Sequence, residues 1–569
     1  MSSYRGRYGS PAAIVIGVAV VVVAFAAIHL GQVLTPTQGV PLSWNPLAAV
    51  LQLSTQESTW PPAATWLLVG EAVLFVGLLV VLAKRKGSGK GSPRGGTEFE
   101  RRVNAQANTG RLQERQRRAE IRHLHPGAEI DAAGIQIGRA LDRGHGWVYQ
   151  SFRQCGAHIW GPGRGKTFTQ VVRHAFFAPG AYLMTSNKTD GVRHVLAARA
   201  LRFPAGRVWM FDPDRIFRRG DRPAFTIDLL ASVRDTKSAE KLAGIFESAA
   251  QSADDSGGDT HFDQQGREFL AWCMLAAATA GKTLQQVHRW VNEGNYTDPA
   301  DLLDAAGYRG PVTALRGLRE QADKTRGSVF ATAQRMSSAM VHDHLMAWAT
   351  PTPGVPVFDP SRFVVSQDTL IVLTQEKAGP LAAFVSGLVT DIAHAAIEEA
   401  GKHMSERLPV PLIADLDECG NVVTLKDLPE WYTHFGSKGI IINAYYQSPS
   451  QGEAVHGRTG FKQLWDAAGM RVFGGGIDDE QWLGSLSKLI GTYDKKTTTT
   501  TTSNGSRSRS EGSQEQARAS VAELANLPEW RAIVRTSNGV SVVVETVPVF
   551  NDPAFAEVMR AADQIGASR

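Results

Sequence analysis

Apolar residues fall into three patterns along this 569-residue chain. Residues 12–34 form an almost unbroken run of Ala, Val, Ile and Leu with no Lys, Arg, Asp or Glu, and residues 64–83 form a second run whose one charge is Glu71. At about 1.5 Å per residue, each run is long enough to cross a hydrocarbon core as a helix. A secretory signal has a shorter apolar stretch and no second span close behind it, so the first run reads as an anchor. In the second pattern, short apolar bursts of strand length alternate with helical periodicity over 147–230 and 363–475. It predicts a parallel sheet covered by helices on both faces. In the third, over about 232–350, apolar positions recur at helical spacing and β-branched runs are scarce, which predicts an inserted all-helical module.

Charge orients the two spans. The loop between them, 35–63, carries no Lys or Arg, whereas Arg5 and Arg7 precede the first span and Lys84, Arg85, Lys86, Lys90 and Arg94 follow the second. Both ends are therefore expected on the cytoplasmic side, with Trp60 and Trp66 at the outer interface and Glu71 in the outer half of its span. A Gly/Ser/Lys linker follows. Residues 98–122 then read as a basic helix with Arg101, Arg102, Arg111, Arg115, Arg117, Arg118 and Arg122, suited first to anionic lipid headgroups.

The whole chain has a net charge of +5 from 60 basic and 55 acidic side chains, but 1–122 hold a net of +8 and the other 447 residues a net of −3. Any nucleic-acid contact in the large soluble part must then come from local patches or loops rather than from a global field. Three widely separated cysteines exclude a disulfide scaffold and a zinc ribbon.

Two segments carry chemistry. The first is Gly161-Pro162-Gly163-Arg164-Gly165-Lys166-Thr167, between a strand ending near Trp160 and a helix predicted over 167–177. Strand, glycine loop, Gly-Lys-Thr and helix make a phosphate-binding P-loop: backbone N–H groups and the helix N-terminus cradle phosphates, Lys166 reaches the β/γ-phosphates and Thr167 ligates Mg²⁺. The standard pattern places four residues between its glycines, and Gly161 to Gly165 has three. The loop is either one residue short or begins on the bulky Trp160. The second segment is the apolar run 410–416, interrupted by Asp415 and ending in Asp417-Glu418. In a P-loop ATPase such an Asp holds Mg²⁺ and the adjacent Glu polarises the attacking water. The next apolar strand ends in Gln447, placed to sense the γ-phosphate or position water.

Together with the membrane hairpin, "DECGNVVTLKDLPEWYTHFGSKGIIINAYYQSPSQ" resembles the coupling proteins of conjugative type IV secretion systems, membrane-anchored ATPases of the wider FtsK/HerA-like class. The matching features are Asp417-Glu418, Leu428-Pro429 and Gln447-Ser448. "MTSNKTDGV", "VWMFDPD", the Ser/Thr/Arg-rich stretch after "SKLIGTYDKK" and "ASVAELANLPEWRAIVRTSNGVSVVVETVPVF" agree with it. The resemblance implies a homo-hexamer that uses ATP and Mg²⁺, with DNA, a relaxase or another secreted substrate, and channel proteins as partners. Where the family often has an arginine that reaches a neighbouring subunit's nucleotide, this chain has Lys438, which lacks the bidentate fork.

The expected architecture is an α/β P-loop NTPase, a RecA-like parallel sheet flanked by helices. It divides into a transmembrane hairpin (1–84), a basic linker and helix (85–140), a nucleotide-binding domain in two parts (141–231 and 351–550) around the all-α insertion (232–350), and a C-terminal tail (551–569). By composition alone, 495–509 reads as a disordered connector, while the resemblance makes it a hairpin or loop. Three functions are compatible: a motor driving DNA transfer, a non-hydrolysing nucleotide-binding receptor for secreted substrates, and an FtsK-like double-strand DNA translocase. The residues after 550 are too few for the winged-helix reader such translocases usually carry.

Overall fold

The computed structural model describes residues 97–567 apart from 106–113, 142–145, 218–219, 221, 251–259, 376–378, 423–424 and 504–505, and before residue 97 only parts of 26–69. The chain divides into two units, Met1–Arg94 and Gly95–Arg569. In the first, the expected spans lie mostly outside the described residues. The segment joining them contains a helix, Pro46–Ser54, and the His29 and Trp44 rings stack with centroids 4.0 Å apart.

The second unit is built on an eleven-stranded sheet. Its strands in chain order are β1 (Ile135–Ala140), β2 (Trp147–Gln150), β3 (Gly156–Ile159), β4 (Tyr182–Ser186), β5 (Val208–Phe211), β6 (Thr369–Leu373), β7 (Leu412–Leu416), β8 (Ile440–Tyr446), β9 (Met470–Phe473), β12 (Arg531–Thr536) and β13 (Ser541–Glu545). A separate two-stranded ribbon joins β10 (Thr492–Ser503) to β11 (Ser506–Ala517). The spatial order of the large sheet is β2-β1-β13-β12-β9-β3-β8-β7-β4-β6-β5. From β9 to β5 every pairing is parallel. From β9 outward to β2 every pairing is antiparallel.

The parallel strands are buried on both faces, as crossover helices require. β7 and β8 have no exposed residue, and their side chains alternate between two cores. Ile440, Ile442, Ala444 and Tyr446 enter one core, and Ile441 and Tyr445 the other. The first core also takes the inward residues of the helices between 236 and 348, among them Phe246, Phe269, Trp290 and Leu315. Helix Leu381–Gly401 is long and apolar enough to cross a membrane, but 72% of its apolar window is buried in the protein. Leu381, Phe384, Leu388 and Ile392 pack in that first core.

Four local expectations change. The sheet begins at Ile135, inside the stretch read as linker, because β1 pairs with β2 just after it and with β13 near the far end of the chain. The basic helix is described as two helices, Glu98–Asn104 and Glu114–Leu124. The tract read from composition as a disordered connector forms the β10–β11 ribbon, in register from Thr492↔Ala517 to Ser503↔Ser506. The tail carries a helix, Ala556–Ala567, whose Val558 and Ala562 are buried in the second core.

Candidate nucleotide site at the strand tips

β3 and β7 are not neighbours, because β8 lies between them. The loop after β3 and the acids after β7 therefore face each other across the tip of β8, where Gln447 stands. Trp160 continues the strand, donating its N–H to the Tyr446 carbonyl at 2.9 Å. Its ring is buried and lies where a side chain on Gly474 would stand, 2.2 Å from an ideal Cβ there. Trp160 thus belongs to the core, and the loop proper is the short Gly161–Thr167. Gly161 passes so close to Gly476 that a Cβ would stand 2.0 Å from the Gly476 carbonyl oxygen. Gly163 and Gly165 adopt left-handed φ angles of 72° and 76°, which glycine alone takes without strain. Pro162 and Gly163 are exposed. Arg164 turns away from the loop's mouth and donates to the carbonyls of Gly474 (3.1 Å), Leu527 (2.7 Å) and Pro528 (2.9 Å). After the loop, Thr167–Val171 is a π-turn rather than regular α-helix, and the α-helix proper is Val172–Phe177.

Lys166 reaches across to the acids. Its Nζ lies 3.1 Å from Asp417 Oδ1 and hydrogen-bonds Glu418 Oε1, from a residue 252 positions away in sequence. Gln447 donates to the other Glu418 oxygen at 2.7 Å, and its own N–H is held by Gln451 Oε1 at 2.7 Å. Glu418 holds a left-handed φ of 55°, a conformation uncommon for a residue with a Cβ and frequent at functional sites. Asp417 and Glu418 are almost fully buried. Burial and the neighbouring Glu418 raise the Asp417 carboxyl, against the pull of Lys166. Burial opposes the Lys166 charge, but the two carboxylates outweigh it and raise that group too. Two buried carboxylates facing one ammonium leave an excess of negative charge. With Thr167 directly following Lys166 in the chain, this donor set fits a divalent cation and the phosphates it carries. Among the described residues, no group of three His, Cys, Asp or Glu side chains is arranged to hold a metal by itself. Lys438 is at the opposite end of β8, 3.8 Å from Glu406, and does not join this cluster.

A buried polar network under the site escaped the sequence reading, although Asp415 stood out as an acid inside an apolar strand. Asp415 Oδ1 lies 3.0 Å from His174 Nδ1 and accepts from Asn443 at 2.9 Å, while Oδ2 accepts from Tyr182 at 2.7 Å. The Tyr445 hydroxyl lies 3.1 Å from the same His174 nitrogen, and Gln150 donates to Asn443 at 2.7 Å. The network ties the helix after the phosphate loop to β4, β7 and β8. It fixes the backbone two residues before Asp417. The glycine triplet Gly474–Gly476, against which the loop packs, was also missed.

Residues 411–539 match the family described as the TraM recognition site of TraD and TraG. No match is found among curated protein sequences. Among solved structures, the chain is similar to the bacterial conjugative coupling protein TrwBdeltaN70 in its unbound monoclinic form, at 16% identity over 77% of this chain and 92% of that one, with a TM-score of 0.55. It is similar to plasmid coupling protein TrwB in complex with ADP and Mg²⁺, at 15% identity over 76% and 92%, with a TM-score of 0.52. The TrwB complex with the non-hydrolysable ATP analogue ADPNP matches at 16% identity over 76% and 92%, also with a TM-score of 0.52. At these identities the likeness is one of fold alone. The 411–539 match therefore lies on a chain whose fold is similar to that of the solved conjugative coupling proteins.

Proposed function

We propose that the chain is a membrane-anchored ATPase that couples DNA, bound to a relaxase or accompanied by another secreted substrate, to a type IV secretion channel. The observation that carries the reading is the meeting of Lys166 with Asp417 and Glu418, capped by Gln447, at the tips of three adjacent strands. The TrwB structures solved with ADP and Mg²⁺ and with an ATP analogue support nucleotide binding on this fold. The TraM recognition segment supports a partner on the DNA-processing side. The two apolar runs support an anchor with both termini in the cytoplasm, and a homo-hexamer is carried from the family.

When bound, Mg²⁺-ATP supplies the transferable phosphoryl group. The loop N–H groups and Lys166 would hold the phosphates, and Thr167 and Asp417 would hold the metal. Glu418 takes the proton of the attacking water while Gln447 fixes the Glu418 carboxylate. The Lys166–Glu418 contact is then a resting arrangement: phosphate competes for the ammonium and frees the carboxylate to act as base. Lys438 remains the trans-acting residue proposed for a neighbouring subunit.

The test is ATP turnover by the full chain in detergent or vesicles, with and without DNA. Lys166→Ala and Glu418→Gln should each lower turnover by roughly 10²-fold or more, with nucleotide binding retained in Glu418→Gln. Binding without turnover in the unaltered chain overturns the motor and leaves the receptor reading.

A further inference from the structure

A third element touches the phosphate loop. The turn Leu527-Pro528-Glu529-Trp530 is tied to it by Arg164, through the Leu527 and Pro528 carbonyls. Trp530 lies directly on the loop: its Cζ3 is 2.6 Å from where a Cβ on Gly165 would stand. Any larger residue at 165 would displace the indole.

Trp530 holds a left-handed φ of 60°. A bulky residue keeps such a backbone only when its surroundings impose it, and such positions concentrate at functional sites. Here the Trp530 carbonyl accepts from Thr546 N at 2.9 Å and from the Arg531 guanidinium at 3.2 Å.

The indole meets Phe550 edge-on, with centroids 6.2 Å apart and planes at 83°. Phe550 in turn meets Phe168 at 5.8 Å. Phe168 directly follows Thr167, the residue placed on the metal, so the trio stands beyond the phosphate loop at the start of its helix. Phe550 is 50% exposed, an open aromatic surface beside a phosphate site rather than a sealed piece of core.

We propose that Trp530, Phe550 and Phe168 form the seat for the base of the bound nucleotide, with Arg164 as the strut that holds the seat against the loop. This rests on the phosphate-loop reading above and adds to it the ligand class: a nucleoside triphosphate gripped by stacking. Aromatic faces attract any base and do not read its hydrogen-bonding edge. The seat therefore takes ATP and GTP with comparable affinity.

The experiment is titration calorimetry on the full chain in detergent with Mg²⁺ and three probes: inorganic triphosphate, ATP and GTP. Phe550→Ala should weaken ATP and GTP alike by about tenfold and leave triphosphate affinity unchanged. Phe550→Tyr should restore both nucleotides. Because Phe550 is half exposed, its replacement leaves the core intact. Nucleotide affinity indifferent to Phe550→Ala, or triphosphate weakened in step with ATP, overturns the seat. Triphosphate that fails to bind, or that binds equally well to Lys166→Ala, overturns the phosphate-loop reading instead.

Discussion

His125 is a neutral imidazole fixed on both sides. Its Nδ1 lies 2.9 Å from the Pro409 carbonyl, and its Nε2 accepts from Arg407 Nε at 3.2 Å. A second proton would have to go on Nε2, against a guanidinium. Burial and Arg407 accordingly hold His125 far below the ordinary value, at about 4. Burial also pulls Arg407 down to about 10, and that guanidinium donates to the carbonyls of Gly436 (3.0 Å), Ser437 (2.8 Å) and Phe152. The unfolded chain takes up the proton near pH 6.5 and the folded chain only near 4. Stability is therefore whole above about pH 6.5 and is lost as pH falls from there toward 4. His456, lowered by burial to about 4, adds a slope of the same sign. Denaturant unfolding at pH 7, 6 and 5 should show this fall, and His125→Gln should make it shallower. An equal slope in the variant would show that His125 does not contribute.

The β10–β11 ribbon pairs twelve residues with twelve, from Thr492–Ser503 to Ser506–Ala517, and lies outside the large sheet. A lone two-stranded ribbon gains little from water exclusion. Replacing residues 498–511 with a short turn should shift Tm by about 2 °C or less in thermal unfolding. A larger loss would mean that the distal ribbon is packed against the body of the protein. From sequence this segment reads wrongly by composition, since Thr, Ser and Gly runs carry no alternation of apolar and polar residues. By contrast, β7 and β8 are legible because strands buried on both faces leave continuous apolar runs. Their tips deliver Asp417, Glu418 and Gln447 where the sequence placed them along the chain. The contacts among these residues and Lys166 come only from strand order, which puts β8 between β3 and β7. β1 is missed because Gln136, Gly138 and Arg139 interrupt its apolar run and one of its two partners lies near the far end of the chain. Arg164 and Trp530 carry no local signal of their shared role, because they are 366 positions apart in the numbering.

Across the molecule, the two ends of the second unit are fastened together. Glu100, in helix Glu98–Asn104, accepts from Arg531 Nε at 2.7 Å, and the two side chains are 3% and 10% exposed. Asn104 exchanges hydrogen bonds with the backbone of Val543, at 2.7 and 3.3 Å. Glu100→Ala would leave the buried Arg531 without its close carboxylate, keeping the Trp530 carbonyl at 3.2 Å and the longer contact to Glu545 at 3.6 Å. It should cost about 3 kcal/mol in denaturant unfolding. A double replacement of Glu100 and Arg531 by Met should recover much of that loss. Failure of that double variant to recover the loss would locate the energy elsewhere in the helix. The same interleaving has a consequence for biogenesis. Ala140 pairs with Val544, so the edge of β1 waits for a partner roughly 400 residues later. At ribosomal rates of 5–20 residues per second, that edge stands open for about 20–80 s. Throughout that interval the nascent chain displays an unpaired strand, a template for a neighbouring copy on the same message.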